Sequence, residues 1–255
     1  MLDILEMTSF GDLQQLIITG IIILISQIIY STLGFGSGMF AISILAFLYG
    51  DLDFIVPFFT LLCLPTEAYI SFKDRQLINL RNTWIFLIMI IPALLLGSIL
   101  LKNADNPIYL IILGSIIIIL SFYYLFAENI HRFKLEHFFW IPFFGSISGI
   151  FGGLFGMAGP PLIFFFKHKD LTKKQFRASL LSIFTFMTLF RIIFYTALKI
   201  IDLKIIITGI IMSPFALAGL LLGYLLHEKI PEKTFKTITS IALAISGFIV
   251  IMKNF

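Results

Sequence analysis

The side chains able to do chemistry are few and stand where water is scarce. Glu67 lies inside the apolar stretch Phe54 to Phe72, and Arg191 inside Leu180 to Leu198. An ionisable group so placed is expensive to bury and marks function by default. A guanidinium keeps its charge and its planar fork can grip two oxygens of an oxyanion, so Arg191 is the candidate anion clamp. Glu67 is the candidate carrier of a coupling proton. The structural alternatives are a Glu67–Arg191 ion pair without a substrate role, or a Glu67 that snorkels toward Lys73 and Arg75. Gln27, deep in another uncharged run, is either a third site group or an interhelical hydrogen bond.

Two glycine-rich breaks are the second candidate element. Gly34-Phe35-Gly36-Ser37-Gly38 interrupts the first apolar run, and Gly145, Gly149, Gly152, Gly153, Gly156 and Gly159-Pro160-Pro161 interrupt a later one. A helix that restarts after such a break has first-turn N–H groups without internal partners and carries about half a positive charge there. That end attracts anions. Gly36, Ser37, Gly38, Gly156 and Gly159 are therefore candidate substrate contacts, with Ser37 and Ser148 as nearby hydroxyls. The competing reading is that the glycines serve close helix packing.

These residues need elements to hold them, and the composition says which kind. The chain has 255 residues, 59% apolar and 13% charged, where soluble domains carry about 25% charge. Mean hydropathy is +1.05. The class is an all-α polytopic membrane protein with the lipid bilayer as its first partner. The net charge of +4 and pI near 9.1 come from loop residues, so nucleic acid is not an expected partner. Cys63 is the single cysteine, which excludes an intrachain disulfide and a thiolate metal site; it reads as a core filler. No cofactor or metal is expected. A phosphate-binding Gly-Lys-Ser/Thr loop is missing, and the four histidines, His131, His137, His168 and His227, fall in loops. Phe35 stands where a serine-protease motif would need glycine two places before Ser37, so an enzyme is not expected. Met1 to Asp12 carries three acids and does not read as a cleaved leader.

Leu13 to Gly50 is 38 residues without a charge, about twice what one crossing needs. The chain divides into a first repeat, 1–127, and a second, 128–255. The first holds an elbow hairpin at 13–50 and spans at 54–72, 85–101 and 108–126; the second holds a hairpin at 138–166 and spans at 180–198, 205–226 and 237–252. Laying Thr60 on Thr185 also brings Pro92 and Gly97 onto Pro214 and Gly219, and puts Arg191 opposite Thr66, one place from Glu67.

Loop cations test the threading, because Lys and Arg gather in cytoplasmic loops. With both elbows crossing straight through, the two faces would carry eight and nine of them. With both elbows going in and coming back, thirteen fall on one face and four on the other. The second pattern is a real bias. It puts both termini outside and gives each half an odd number of crossings, so the halves are inverted, with about ten helical segments in all. Inverted repeats with a site at mid-depth are a secondary-transporter architecture.

The elbows carry a resemblance. Gly34-Phe35-Gly36-Ser37-Gly38 and the longer Gly149-Ile150-Phe151-Gly152-Gly153-Leu154-Phe155-Gly156-Met157-Ala158-Gly159-Pro160-Pro161-Leu162 resemble the TauE/SafE sulfite exporter family of membrane permeases, over nearly the whole chain. Members commonly have proline where this sequence has Ser43. The resemblance implies a secondary permease for small sulfur anions such as sulfite, sulfoacetate or other organosulfonates, driven by an ion gradient, in a bacterial inner membrane. An anion-selective channel is the alternative.

The charge bias predicts that Lys73 and Lys173 emerge on one face. In a Cys63→Ser background, Lys73→Cys and Lys173→Cys should react with an impermeant maleimide from the same side of the membrane. Reaction from opposite sides would undo the second hairpin.

Overall fold

The computed structural model describes residues 8, 10, 12–78, 80–102, 107–126, 140–167 and 171–226, with a few single positions beyond. The expected span 237–252 lies almost entirely outside the described residues. Within them the chain is all-helical: α1 (Leu13–Leu33), α2 (Ser37–Tyr49), α3 (Leu52–Lys73), α4 (Leu80–Leu101), α5 (Pro107–Phe126), α6 (Trp140–Phe155), α7 (Gly159–Lys167), α8 (Lys173–Ala197) and α9 (Leu203–Leu226). Among the described residues there is no β-strand. Five of these helices are long and apolar enough to cross a membrane: α1, α3, α4, α8 and α9.

Polar caps mark where several helices begin. Asp12 accepts from Gln15 N at 2.7 Å, Asp51 from Phe54 N at 3.1 Å and Asp202 from Ile205 N at 2.8 Å. Each satisfies an amide that the helix itself cannot. Thr172 and Gln175 form a reciprocal capping box. That box explains why α8 starts at Lys173, seven residues before the apolar stretch, and so takes in Arg177. Counted with the loop cations in the sequence, Arg177 is in fact helical and 5% exposed. Its Cγ lies 2.9 Å from where a Cβ on Gly34 would stand.

Both elbows fold their arms back. Tyr49, the last residue of α2, hydrogen-bonds Thr19 at 2.8 Å and donates to the Gln15 carbonyl at 3.3 Å, so α2 returns to the start of α1. In the second elbow, Phe164 of α7 lies beside Phe144 of α6, with ring centroids 5.4 Å apart. The arms are unequal. α1 has 21 residues and α2 has 13; α6 has 16 and α7 has 9. At ~1.5 Å per residue, α1 alone reaches about 32 Å, roughly the thickness of a hydrocarbon core.

The halves interlock rather than sit side by side. α4 of the first half packs along α6 of the second, and α9 of the second along α1 of the first. α4 also meets α8, as α9 meets α3. Exchanging the halves leaves these pairings unchanged. At the centre α3 and α8 pack antiparallel, with Glu67 beside Thr188 and Asp74 within electrostatic reach of Arg177.

Glycines make the crossed seams possible. A Cβ on Gly153 would stand 2.3 Å from the Leu94 carbonyl oxygen, one on Gly149 2.5 Å from that of Ile90, and one on Gly97 2.3 Å from that of Ile150. The α1–α9 seam is similar, with Gly219 and Gly223 facing the carbonyls of Leu24 and Ile28 at 2.5 and 2.6 Å. Between helices in lipid such backbone proximity supplies dispersion contact that water exclusion cannot. Ser31 and Thr32 add bonds across that seam to the carbonyls of Leu220 and Gly223, at 3.0 and 3.1 Å.

Backbone cannot yield as a flexible side chain can. Gly153→Ala should therefore destabilise the folded protein by about 1–3 kcal/mol. Gly209→Ala, whose Cβ would meet only Leu61 at 3.5 Å, should be neutral or slightly stabilising. Thermal unfolding of both variants in one detergent checks the contrast.

Candidate functional site

The chain breaks where glycine permits it. Gly34 and Gly36 have φ of 83° and 90°, and Gly156 has φ of 67°, a left-handed backbone that costs other residues energy. Gly34 closes α1 and Gly36 opens α2 with no side-chain cap. The first-turn amides of α2 are thus left without helical partners. Across from them, Gly156 ends α6 and the Met157 amide turns back to the Phe151 carbonyl at 3.2 Å.

The two elbows touch. A Cβ on Gly38 would stand 3.0 Å from the Gly156 carbonyl oxygen, and one on Gly156 2.8 Å from Ile42 Cδ1 and 3.5 Å from Arg191 Nη1. A Cβ at Gly156 would press on Ile42 and come into contact with the guanidinium. Between the elbows and the α3–α8 pair lies a cavity of about 40 Å³. A water needs ~10–15 Å³ on that measure, so this is space for a few waters or one small ion.

Seven of the nine residues singled out in the sequence line this cavity: Gly36, Ser37, Gly38, Glu67, Gly156, Gly159 and Arg191. Gln27 stands outside the lining. Its Nε2 donates to Cys63 Sγ at 3.7 Å and its Oε1 accepts from Thr66 at 2.8 Å, so both ends of the amide tie α1 to α3. Ser148, the second candidate hydroxyl, is buried on α6 and is not part of the lining.

The two buried charges are held by neutral groups. Glu67 is 2% exposed and Arg191 6%. Tyr30 donates to Glu67 Oε1 at 2.6 Å, while Oε2 has no hydrogen-bond partner. Arg191 donates through Nη1 to the Gly152 carbonyl at 3.2 Å and through Nη2 to Thr188 at 2.7 Å; its Nε is unpartnered. Tyr195 donates to the neighbouring Gly153 carbonyl at 2.6 Å. Glu67 and Arg191 are within electrostatic reach of each other but share no hydrogen bond. What remains is one cation with spare donor capacity and one carboxyl with a spare oxygen on the same small space. Such a space is chemically suited to a single small anion and one exchangeable proton.

Sequence reasoning missed several lining residues. Tyr30 was passed over, and Cys63 was read as filler although it lines the cavity, as do Met157 and Met187. A usable signal existed. Cys63 lies four residues before Glu67 and Met187 four before Arg191, and that spacing puts each pair on one helix face.

Comparison with known proteins follows from the same residues. Residues 19–250 match the family described as Sulfite exporter TauE/SafE. A curated protein of Cupriavidus necator, named "Probable sulfite/organosulfonate exporter TauE", is 33% identical over 81 residues, which are 30% of this chain and 32% of the relative. The matched segment thus spans about a third of that relative's length. No solved structure matches the chain.

Removing the Tyr30 hydroxyl takes from Glu67 Oε1 its 2.6 Å donor. Tyr30→Phe should destabilise the protein by about 1–3 kcal/mol, and most of that loss should vanish when Glu67→Met is already present. A double-mutant cycle by thermal unfolding measures the coupling; equal losses in both backgrounds would mean the hydroxyl does not serve Glu67.

Proposed function

The chain belongs to the sulfite exporter TauE/SafE family, and from that premise we propose that it is a secondary transporter of small sulfur-containing anions, sulfite or organosulfonates. Its two halves, 1–127 and 128–255, act as inverted repeats that alternate access to the elbow cavity. Arg191 and the first-turn amides at Gly36, Ser37 and Gly38 hold the anion, with Gly156 and Gly159 supplying the opposing backbone. Gln27 acts behind them by fixing Cys63 and Thr66. Glu67 carries the coupling proton. The membrane is the bacterial inner membrane, with both termini outside.

The observation that carries this reading is the meeting of two broken helices over one cavity that holds an unsatisfied Arg191 and an unsatisfied Glu67. Non-helical backbone at membrane depth is tolerated only where protein buries it or a watery space borders it. The elbows pack on each other and border the cavity, which supports that reading. The exchange symmetry of the helix pairings supports the inverted repeat, because rocking one half against the other would then expose a fixed central site to each face in turn. A proton on Glu67 removes a buried negative charge from beside the incoming anion, which links the two movements.

Proteoliposomes test the roles separately. Arg191→Gln should lower sulfite or sulfonate flux about 10–100-fold, the range for losing a hydrogen bond to a charged group, with folding intact. Glu67→Gln should keep anion exchange but abolish accumulation driven by a proton gradient. Undiminished flux in the first variant removes Arg191 from the site, and gradient-driven uptake in the second ends the proton role. Steady conductance without saturation or exchange would point to a channel instead.

A further inference from the structure

The cavity lining has a second chemistry that its charges do not explain. Beside Arg191 and Glu67 stand four sulfur side chains, Met39, Cys63, Met157 and Met187. The whole chain has eight methionines and one cysteine, so three of the eight and the only thiol converge on one small space. They come from α2, α3, the second elbow and α8, and all are buried, at 3%, 4%, 3% and 1% exposure. A thioether accepts weakly and donates nothing.

The donors that face this cavity make a short inventory. Arg191, with only two of its five N–H bonded, has donors to spare, α2 has its first-turn amides and Ser37 a hydroxyl. Tyr30 is committed to Glu67, and the aromatic lining of Phe35, Phe59 and Phe184 has nothing to give. Arg191 is the single cationic side chain of the lining. Donors exist for a few oxygens and counter-charge for one negative charge.

We propose that Met39, Met157 and Met187 are specificity-determining residues that restrict the cavity to a singly charged anion with a three-oxygen end and a soft or apolar other end, and that they exclude sulfate. Bisulfite and short alkyl sulfonates have that form: three oxygens take the donors, and the sulfur lone pair or the alkyl group meets the thioethers. Sulfate is nearly the same size, so shape does not reject it. Its fourth oxygen would lie against groups that cannot donate, and an acceptor buried without a partner is destabilising. Its second charge would have no cation, and a buried unpaired charge is worse still. This inference rests on the transport reading above and narrows it: within the sulfonates, singly charged members fit and doubly charged ones such as sulfoacetate fit poorly.

Methionine also fills irregular gaps in cores, so the test asks for a gain that packing alone cannot produce. The full chain in lipid nanodiscs is titrated with sulfite, methanesulfonate and sulfate, with affinity read by calorimetry. Sulfate should bind about 100-fold more weakly than methanesulfonate, the scale on which an apolar pocket rejects an isostere with one extra polar group. Met157→Gln and Met187→Gln each put an amide donor at nearly the same reach, and should narrow that ratio at least about 10-fold. Met187→Leu, with similar volume and no donor, should leave it unchanged. Equal binding of sulfate and methanesulfonate to the native protein, or equal shifts in the Gln and Leu variants, overturns the proposal while leaving the transport reading intact. Should a Gln variant not fold, the comparison of the three anions on the native chain still decides. If none of the three anions binds, the transport reading fails and this inference with it.

Discussion

A backbone amide or carbonyl has no water to turn to inside lipid, and this protein breaks its helices there twice. Each break must therefore be covered by protein, and the covering is mutual: Gly38 of one elbow meets the Gly156 carbonyl of the other. Much of the architecture serves that encounter. The halves are threaded through each other, α4 against α6 and α9 against α1. Their seams close to backbone contact through Gly97, Gly149, Gly153, Gly219 and Gly223.

The same low dielectric governs the charges. An ion pair between Glu67 and Arg191 with every hydrogen bond made would be a finished structural element with nothing left to offer. Instead Tyr30, Thr188 and the Gly152 carbonyl take part of each group's capacity, and Glu67 Oε2 and Arg191 Nε remain without a partner. Leaving buried polar atoms unmatched is destabilising, and proteins tolerate it mainly where a ligand, a proton or an ordered water completes the set. Opposite charges within electrostatic reach lessen the cost of keeping both in the membrane interior.

Much of this was legible in residue order. The uncharged run Leu13 to Gly50 is too long for one crossing, and the helix breaks at Gly34–Gly36 as its glycines suggest. Glu67 and Arg191, at nearly matching places in the two halves, do border one cavity. The lower end of α8 was less legible, because its cap and Arg177 look like loop in a hydropathy reading. Gln27 illustrates a different limit. A lone polar residue in an apolar run announces that it must find a partner but not which one, and the partners turn out to be Cys63 and Thr66.

By itself the sequence determined that the described apolar runs are helices, the places where the elbows break them, and which two charged residues lie inside them. Those follow from hydrocarbon thickness and backbone hydrogen bonding, which act on each segment locally. Only the tertiary structure decided which glycines are hinges and which are seams. Gly156 and Gly153 are three residues apart in one glycine-rich run, yet one adopts a left-handed φ of 67° and the other lies under the Leu94 carbonyl. It also decided that methionines and a cysteine share the wall with an arginine. Which face of a helix meets which neighbour is settled by all the helices packing at once, and no single stretch of residues contains that information.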